Sequence, residues 1–146
     1  MDLALAEAEK AAAVGEVPVG AVIVDPKGTV IASASNRTRR DSDPTAHAEI
    51  LAIRKAAKFL GNHRLVGCTI YVTLEPCAMC AGALSHARVA QIIYGASDPK
   101  SGGTDHGARV FEHSQTHHRP EVLGGISEAA CSRLISNFFH TQRAKS

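Results

Sequence analysis

Between Pro44 and Ser97 the apolar residues change their spacing three times, and this alternation restricts the fold more than any other feature of the chain. Ala46, Ile50, Ile53, Ala57 and Leu60 recur at intervals of four and three, the period of a helix with one buried stripe. Asp43 ahead of them is an N-cap candidate, Pro44 suits a first helical position, and Gly61 supplies a stop. TIYVTL (69–74) then reads as a strand, Pro76 opens a helix running to about Ala87, and QIIYGAS (91–97) reads as the next strand. Helix, strand, helix and strand in succession predict an α/β fold with a partly parallel sheet covered by helices.

The flanks extend this pattern. Residues 2–14 are rich in alanine and leucine and predict a helix that ends at Gly15. VPVGAVIVD and TVIASASN, separated by Asp25-Pro26-Lys27-Gly28, predict a hairpin. Residues 98–119 lack a period and predict mostly loop; EVLGGI predicts a further strand. Ser127 then caps a last helix with Cys131, Leu134, Ile135 and Phe138 on one face. At 146 residues, with no repeat or linker, the chain predicts a single domain over 1–146. The start MDLALAEAEK is acidic, unlike a secretory signal, and the longest apolar run, VPVGAVIV, falls far short of the ~20 residues of a membrane helix. A soluble, cytoplasmic protein is expected. The net charge of +2 is too small to indicate nucleic acid by itself.

Chemistry concentrates in two short pieces, His47-Ala48-Glu49 and Pro76-Cys77-Ala78-Met79-Cys80. Four cysteines are an even number that would also suit disulfides, but Cys77 and Cys80 are spaced like metal ligands, and a reducing compartment favours that reading. Three apart at a helix start, their sulfurs point the same way, and the positive helix end favours the thiolates that bind metal. Two thiolates and the His47 imidazole make a three-ligand Zn2+ site, which keeps a position open for water and therefore indicates catalysis. Residues two apart on a regular helix lie ~200° apart, so Glu49 need not be a ligand. It is placed instead to take a proton from a water whose pKa zinc lowers towards ~7, and to return it.

His-x-Glu followed by Pro-Cys-x-x-Cys resembles the signature of the zinc-dependent nucleobase deaminases. EVPVGAVIVD, NRT, DPTAHAEILAIRKAA, GNHRLVGCTIYVTLEPCAMCAGAL, YGASDPKSG and ISNFF extend the likeness to the bacterial tRNA adenosine deaminase family over nearly the whole chain. The resemblance implies a three-layer α/β/α, cytidine-deaminase-like fold around a mixed five-stranded sheet. It also implies a homodimer acting on a tRNA anticodon stem-loop, where the first anticodon adenosine becomes inosine. By the same likeness His47, Cys77 and Cys80 hold Zn2+ and Glu49 shuttles protons. Asn36 and the Ala48 N–H bind the flipped base, and Asp98 contacts the neighbouring nucleotide.

The residues themselves add a weaker case for RNA. Arg37, Arg39 and Arg40 crowd the segment after Asn36, partly offset by Asp41 and Asp43. After Glu128 there is no acidic residue, while Arg133, Arg143 and Lys145 follow; Lys100 and Phe139 join the candidate RNA contacts, with Phe138 assigned to the core. Thr104-Asp105-His106 and His117 depart from the family pattern and bear on RNA contact rather than on the zinc set. The extra histidines, His106, His113, His117 and His118, lack a ligand spacing, and Cys68 and Cys131 read as buried apolar residues. A guanine or cytosine deaminase acting on a free base or nucleoside shares the zinc signature. A non-catalytic zinc module that binds RNA or protein is a further alternative, for which Glu49 has no use.

Overall fold

The computed structural model describes residues 1–145. Five strands form one mixed sheet: β1 (Gly20–Val24), β2 (Val30–Ser35), β3 (Thr69–Leu74), β4 (Gln91–Ala96) and β5 (Glu121–Leu123), in the order β2-β1-β3-β4-β5. β1 pairs antiparallel with β2 and β3, whereas β3, β4 and β5 are mutually parallel neighbours. The hairpin closes as its composition predicts: the Asp25 carboxylate accepts the N–H groups of Lys27 and Thr29, both at 2.9 Å, and Gly28 takes a φ of 86°.

Four helices complete three layers. α1 (Asp2–Ala13) and α4 (Glu128–Lys145) pack on one face of the sheet, and α2 (Ala48–Leu60) and α3 (Ala78–Ala87) on the other. Within the 98–119 segment only a short 3-10 turn, Val110–Glu112, forms. Ala21, Ile23, Ala32, Ala34, Ile70, Val72 and Ile92 of the sheet meet Ala52 and Ala56 of α2 and Leu84 of α3 in one core cluster. Among the described residues, no helix is long and apolar enough to cross a membrane.

Three expectations are corrected. α2 begins at Ala48, not at Pro44, because the Asp43 carboxylate caps a local turn instead, accepting from Thr45 N–H at 2.9 Å and Thr45 Oγ1 at 2.7 Å. The buried face of α2 is Ala48, Glu49, Ala52 and Ala56; Ile53 and Ala57 flank the core half-buried, and Leu60 is exposed. Ala46, although buried, precedes the helix. Small methyls let α2 lie close on the sheet, so its largest side chains go to the margins. Pro76 likewise stands before the helix it was expected to begin, and Cys77 is the N-cap of α3.

Candidate active site

β2, β3 and β4 run in the same direction and β1 runs against them, so the residues after three strands and before the fourth meet at one sheet edge. Val17 and Val19 precede β1, Asn36 follows β2, Glu75 and Cys77 follow β3, and Asp98 follows β4. All six line a cleft of about 250 Å³. Ligands of open α/β sheets bind at such carboxyl ends of strands, and this volume is below the ~300–1,000 Å³ of drug-sized sites, suited to one flat ring system.

The heads of α2 and α3 converge there. Both N-caps are extended, His47 with ψ of 152° and Cys77 with ψ of 175°, and each turns its side chain to the other before its helix begins. His47 Nδ1 lies 3.6 Å from Cys77 Sγ and 3.5 Å from Cys80 Sγ, and the three donor atoms lie within 4.8 Å of one another. For tetrahedral zinc with bonds near 2.05 Å to nitrogen and 2.3 Å to sulfur, adjacent N and S atoms stand about 3.6 Å apart. The donor set therefore fits zinc in spacing as well as in chemistry. The N-cap separates the two roles: His47 is outside the helix, so Glu49, in the first turn, faces the same cleft from a different direction.

The charged groups of this cluster act directly on one another. The Cys80 thiol and then the His47 ring hold the Cys77 thiol down at about 4, against the effect of burial. The Cys77 thiolate in turn pushes Cys80 far up, with burial adding to it, and raises His47. One thiolate and one thiol sharing a proton beside an imidazole is the arrangement that a divalent cation relieves, by taking the proton's place. Burial pushes the Glu49 carboxyl up to about 7, only partly countered by its own backbone N–H. A carboxyl in that range accepts and gives up a proton with little cost in either direction.

Asn36 is buried; its Nδ2 donates to the Val17 carbonyl at 3.5 Å and its Oδ1 accepts from Thr38 N–H at 3.4 Å. Ala48 lines the cleft as the first residue of α2, where helix geometry leaves an N–H without an intrahelical acceptor. Asp98 lines it too, with Oδ1 accepting from Ser101 N–H at 3.0 Å. The cationic candidates stay outside the lining. Arg37 donates to Asp41 at 3.0 Å, Arg39 to the Gly15 carbonyl at 3.2 Å, and Arg40 to Glu16 and the Asn36 carbonyl at 3.4 and 3.2 Å. Lys100 is exposed beyond the rim, and Phe139 (42% exposed) and Arg143 stand on α4, on the opposite face of the sheet. Phe138 is in the core and meets Phe139 edge-on, their centroids 5.4 Å apart.

Sequence reasoning missed two buried carboxylates. Glu16 accepts the Arg39 and Arg40 N–H groups at 3.1 and 2.8 Å, which ties down the segment after Asn36. Glu75 does the same for the 98–106 segment, and its hydrogen bonds from Asp98 and His106 outweigh burial and hold its carboxyl below the ordinary value. The sequence offered one hint, a glutamate directly before Pro-Cys. Two of the extra histidines are hydrogen-bond donors to carbonyls: His113 Nε2 to Ala108 at 2.9 Å and His118 Nε2 to Val89 at 2.6 Å. Among the described residues, only His47, Cys77 and Cys80 form a group suited to hold a metal ion.

A mixed five-stranded sheet with paired helices on each face, and a His-Cys-Cys cluster beside a buried glutamate, define a protein of the deaminase class; the family model of MafB19-like deaminases matches residues 1–143. The chain is 49% identical to the tRNA-specific adenosine deaminase of Agrobacterium fabrum, over 98% of its own length and 93% of that relative's. It is 46% identical to the tRNA-specific adenosine deaminase of Haemophilus influenzae, over 98% and 83% of the two lengths. A solved structure from studies of A-to-I editing by tRNA:A34 deaminases at the wobble position of transfer RNA superposes with a TM-score of 0.90 at 50% identity, covering 92% of this chain and 96% of that one. The chain belongs to the family of tRNA-specific adenosine deaminases.

Proposed function

We propose that this protein converts the adenosine at the first anticodon position of a transfer RNA into inosine. The observation that carries the reading is Glu49, a carboxyl buried on the wall of a base-sized cleft beside three metal-donor atoms, in a chain of this family. His47 Nδ1, Cys77 Sγ and Cys80 Sγ would hold zinc. The chemistry that zinc supplies when bound is acidification of water towards a pKa of ~7.

The remaining work falls to the chain's own groups. Glu49 removes a proton from the attacking water and passes it to the ring nitrogen beside C6 as the C–O bond forms. It then moves the second proton of that water to the departing amino group, so adenosine and water become inosine and ammonia. The Asn36 amide and the Ala48 N–H bind the edge of the flipped base. Val17 and Val19 exclude water from its faces. Asp98 contacts the neighbouring nucleotide, and Arg37, Arg39, Arg40, Lys100, Phe139 and Arg143 serve the RNA backbone and stacked bases. The first three are also tied within the chain, which holds the loop in shape for those contacts. A single domain, a homodimer and a cytoplasmic location complete the reading.

The test is mass-spectrometric detection of inosine in a synthetic anticodon stem-loop, with free guanine and cytosine as competing substrates. Inosine in the RNA is expected; turnover of a free base alone would overturn the assignment. Glu49→Ala is expected to lower kcat by at least ~10³-fold while zinc content stays at that of the parent protein.

A further inference from the structure

Glu75 and His106 meet at the junction between the metal-donor segment and the rim of the cleft. The Glu75 side chain is fully buried, and both of its oxygens are taken by a single residue: His106 Nδ1–H donates to Oε1 at 2.7 Å and His106 N–H donates to Oε2 at 2.9 Å. Backbone N–H groups converge on both oxygens of Glu75, so the carboxylate side acts as acceptor and the ring presents Nδ1–H to it. Asp98 N–H joins on Oε1 at 3.0 Å, and the Thr104 N–H and hydroxyl on Oε2, each at 3.3 Å. Next to His106, Asp105 accepts the Tyr94 hydroxyl at 2.6 Å, so the segment has a second anchor on β4.

The segment is also pressed onto the backbone that carries Cys77. A Cβ on Gly102 would lie 2.5 Å from Glu75 Oε2 and 2.4 Å from the Asp98 carbonyl, and one on Gly103 would lie 2.5 Å from Ala78 N. Gly103 N–H donates to the Pro76 carbonyl at 2.7 Å. Asp98 and Ser101, on the near side of the same segment, line the cleft.

We infer that His106 is a positioning residue: by gripping both oxygens of Glu75 it sets the 98–104 rim of the cleft, and through that rim the binding of substrate rather than the chemistry at Glu49. The substrate side of the inference rests on the function proposed above. It assigns a task to Thr104-Asp105-His106: the acid is engaged by Tyr94 and the histidine by Glu75, and both bonds anchor the segment. Removing the ring leaves Oε1 with only the Asp98 N–H, and the rim loses its register.

The experiment compares wild type, His106→Ala, His106→Asn and His106→Gln by steady-state kinetics on the stem-loop, amide hydrogen exchange over 98–104, zinc content and thermal unfolding. An asparagine amide reaches the place of Nδ1, whereas the glutamine amide reaches past it. His106→Ala and His106→Gln are expected to raise KM roughly tenfold with kcat changed less than about threefold, the pattern of lost binding without lost transition-state chemistry. Both are expected to speed exchange at Asp98 and Thr104, and His106→Asn to restore both readouts. Unchanged exchange and KM in His106→Ala, or loss of kcat together with zinc, would overturn the inference. If wild type makes no inosine in the stem-loop yet the exchange pattern holds, the substrate assignment fails and the positioning role stands; a variant that does not fold is answered by the asparagine form.

Discussion

Glu16 is buried at the end of α1 and accepts the backbone N–H groups of Arg39 and Arg40, together with the Arg40 guanidinium. Burial pushes its carboxyl up, but the Arg40 and Arg39 N–H groups and the guanidinium overcome this and lower it below its ordinary value of 4.5. The folded chain thus binds this proton less readily than the unfolded chain does. Its stabilising share is complete above the unfolded value and is lost as pH falls through the folded one. Glu16→Gln, which turns an amide NH₂ towards N–H donors, is expected to cost about 1–3 kcal/mol at neutral pH, with the gap to wild type closing as pH falls below the ordinary value of 4.5. Thermal unfolding across that pH range measures it. Residues of this kind were not legible in the sequence. His47, Cys77, Cys80 and Glu49 stand out because their side chains carry the chemistry at a spacing that can be recognised. Glu16 and Glu75 answer to backbone N–H groups more than twenty positions away, and a backbone group has no letter.

Strands were read closely because five- and six-residue β-branched runs leave little choice of frame, and β3 falls on TIYVTL as expected. Helix starts were read less well. Asp43-Pro44 carries good start chemistry, but the turn it caps delays α2 to Ala48, and that delay puts His47 in extended backbone where it faces Cys77. The alanine face of α2 was hidden for a related reason: a pattern search weights Ile50, Ile53 and Leu60, whereas close approach to the sheet selects methyl groups. The same close approach governs the other face. A Cβ on Gly20 would stand 2.0 Å from the Ala4 carbonyl and 2.6 Å from Ala8 N, both backbone atoms of α1. Gly20→Ala is therefore expected to displace α1 and destabilise the fold by about 2–3 kcal/mol. Differential scanning calorimetry should show this as a fall of roughly 5–10 °C in Tm for a chain of this size.

On the scale of the whole molecule, the cleft is built from both halves of the sheet: the antiparallel half supplies Asn36 and the α2 head, and the parallel half supplies the cysteines and Asp98. An ion held across that seam binds only the assembled chain, so its affinity adds to global stability. Stripping zinc with a chelator is expected to lower Tm, and titrating it back to raise Tm until one equivalent per chain is bound; excess free ion at 1,000 times Kd contributes about 4 kcal/mol. In Cys77→Ala the same titration should leave Tm almost unmoved. The parallel crossover also has a consequence for biosynthesis. The imidazole at 47 leaves the ribosome thirty residues before the thiol at 77, and the second thiol, at 80, follows it. A nascent chain accordingly lacks the full set of candidate donors until Cys80 has emerged, so an ion that needs all three would be taken up only after that point.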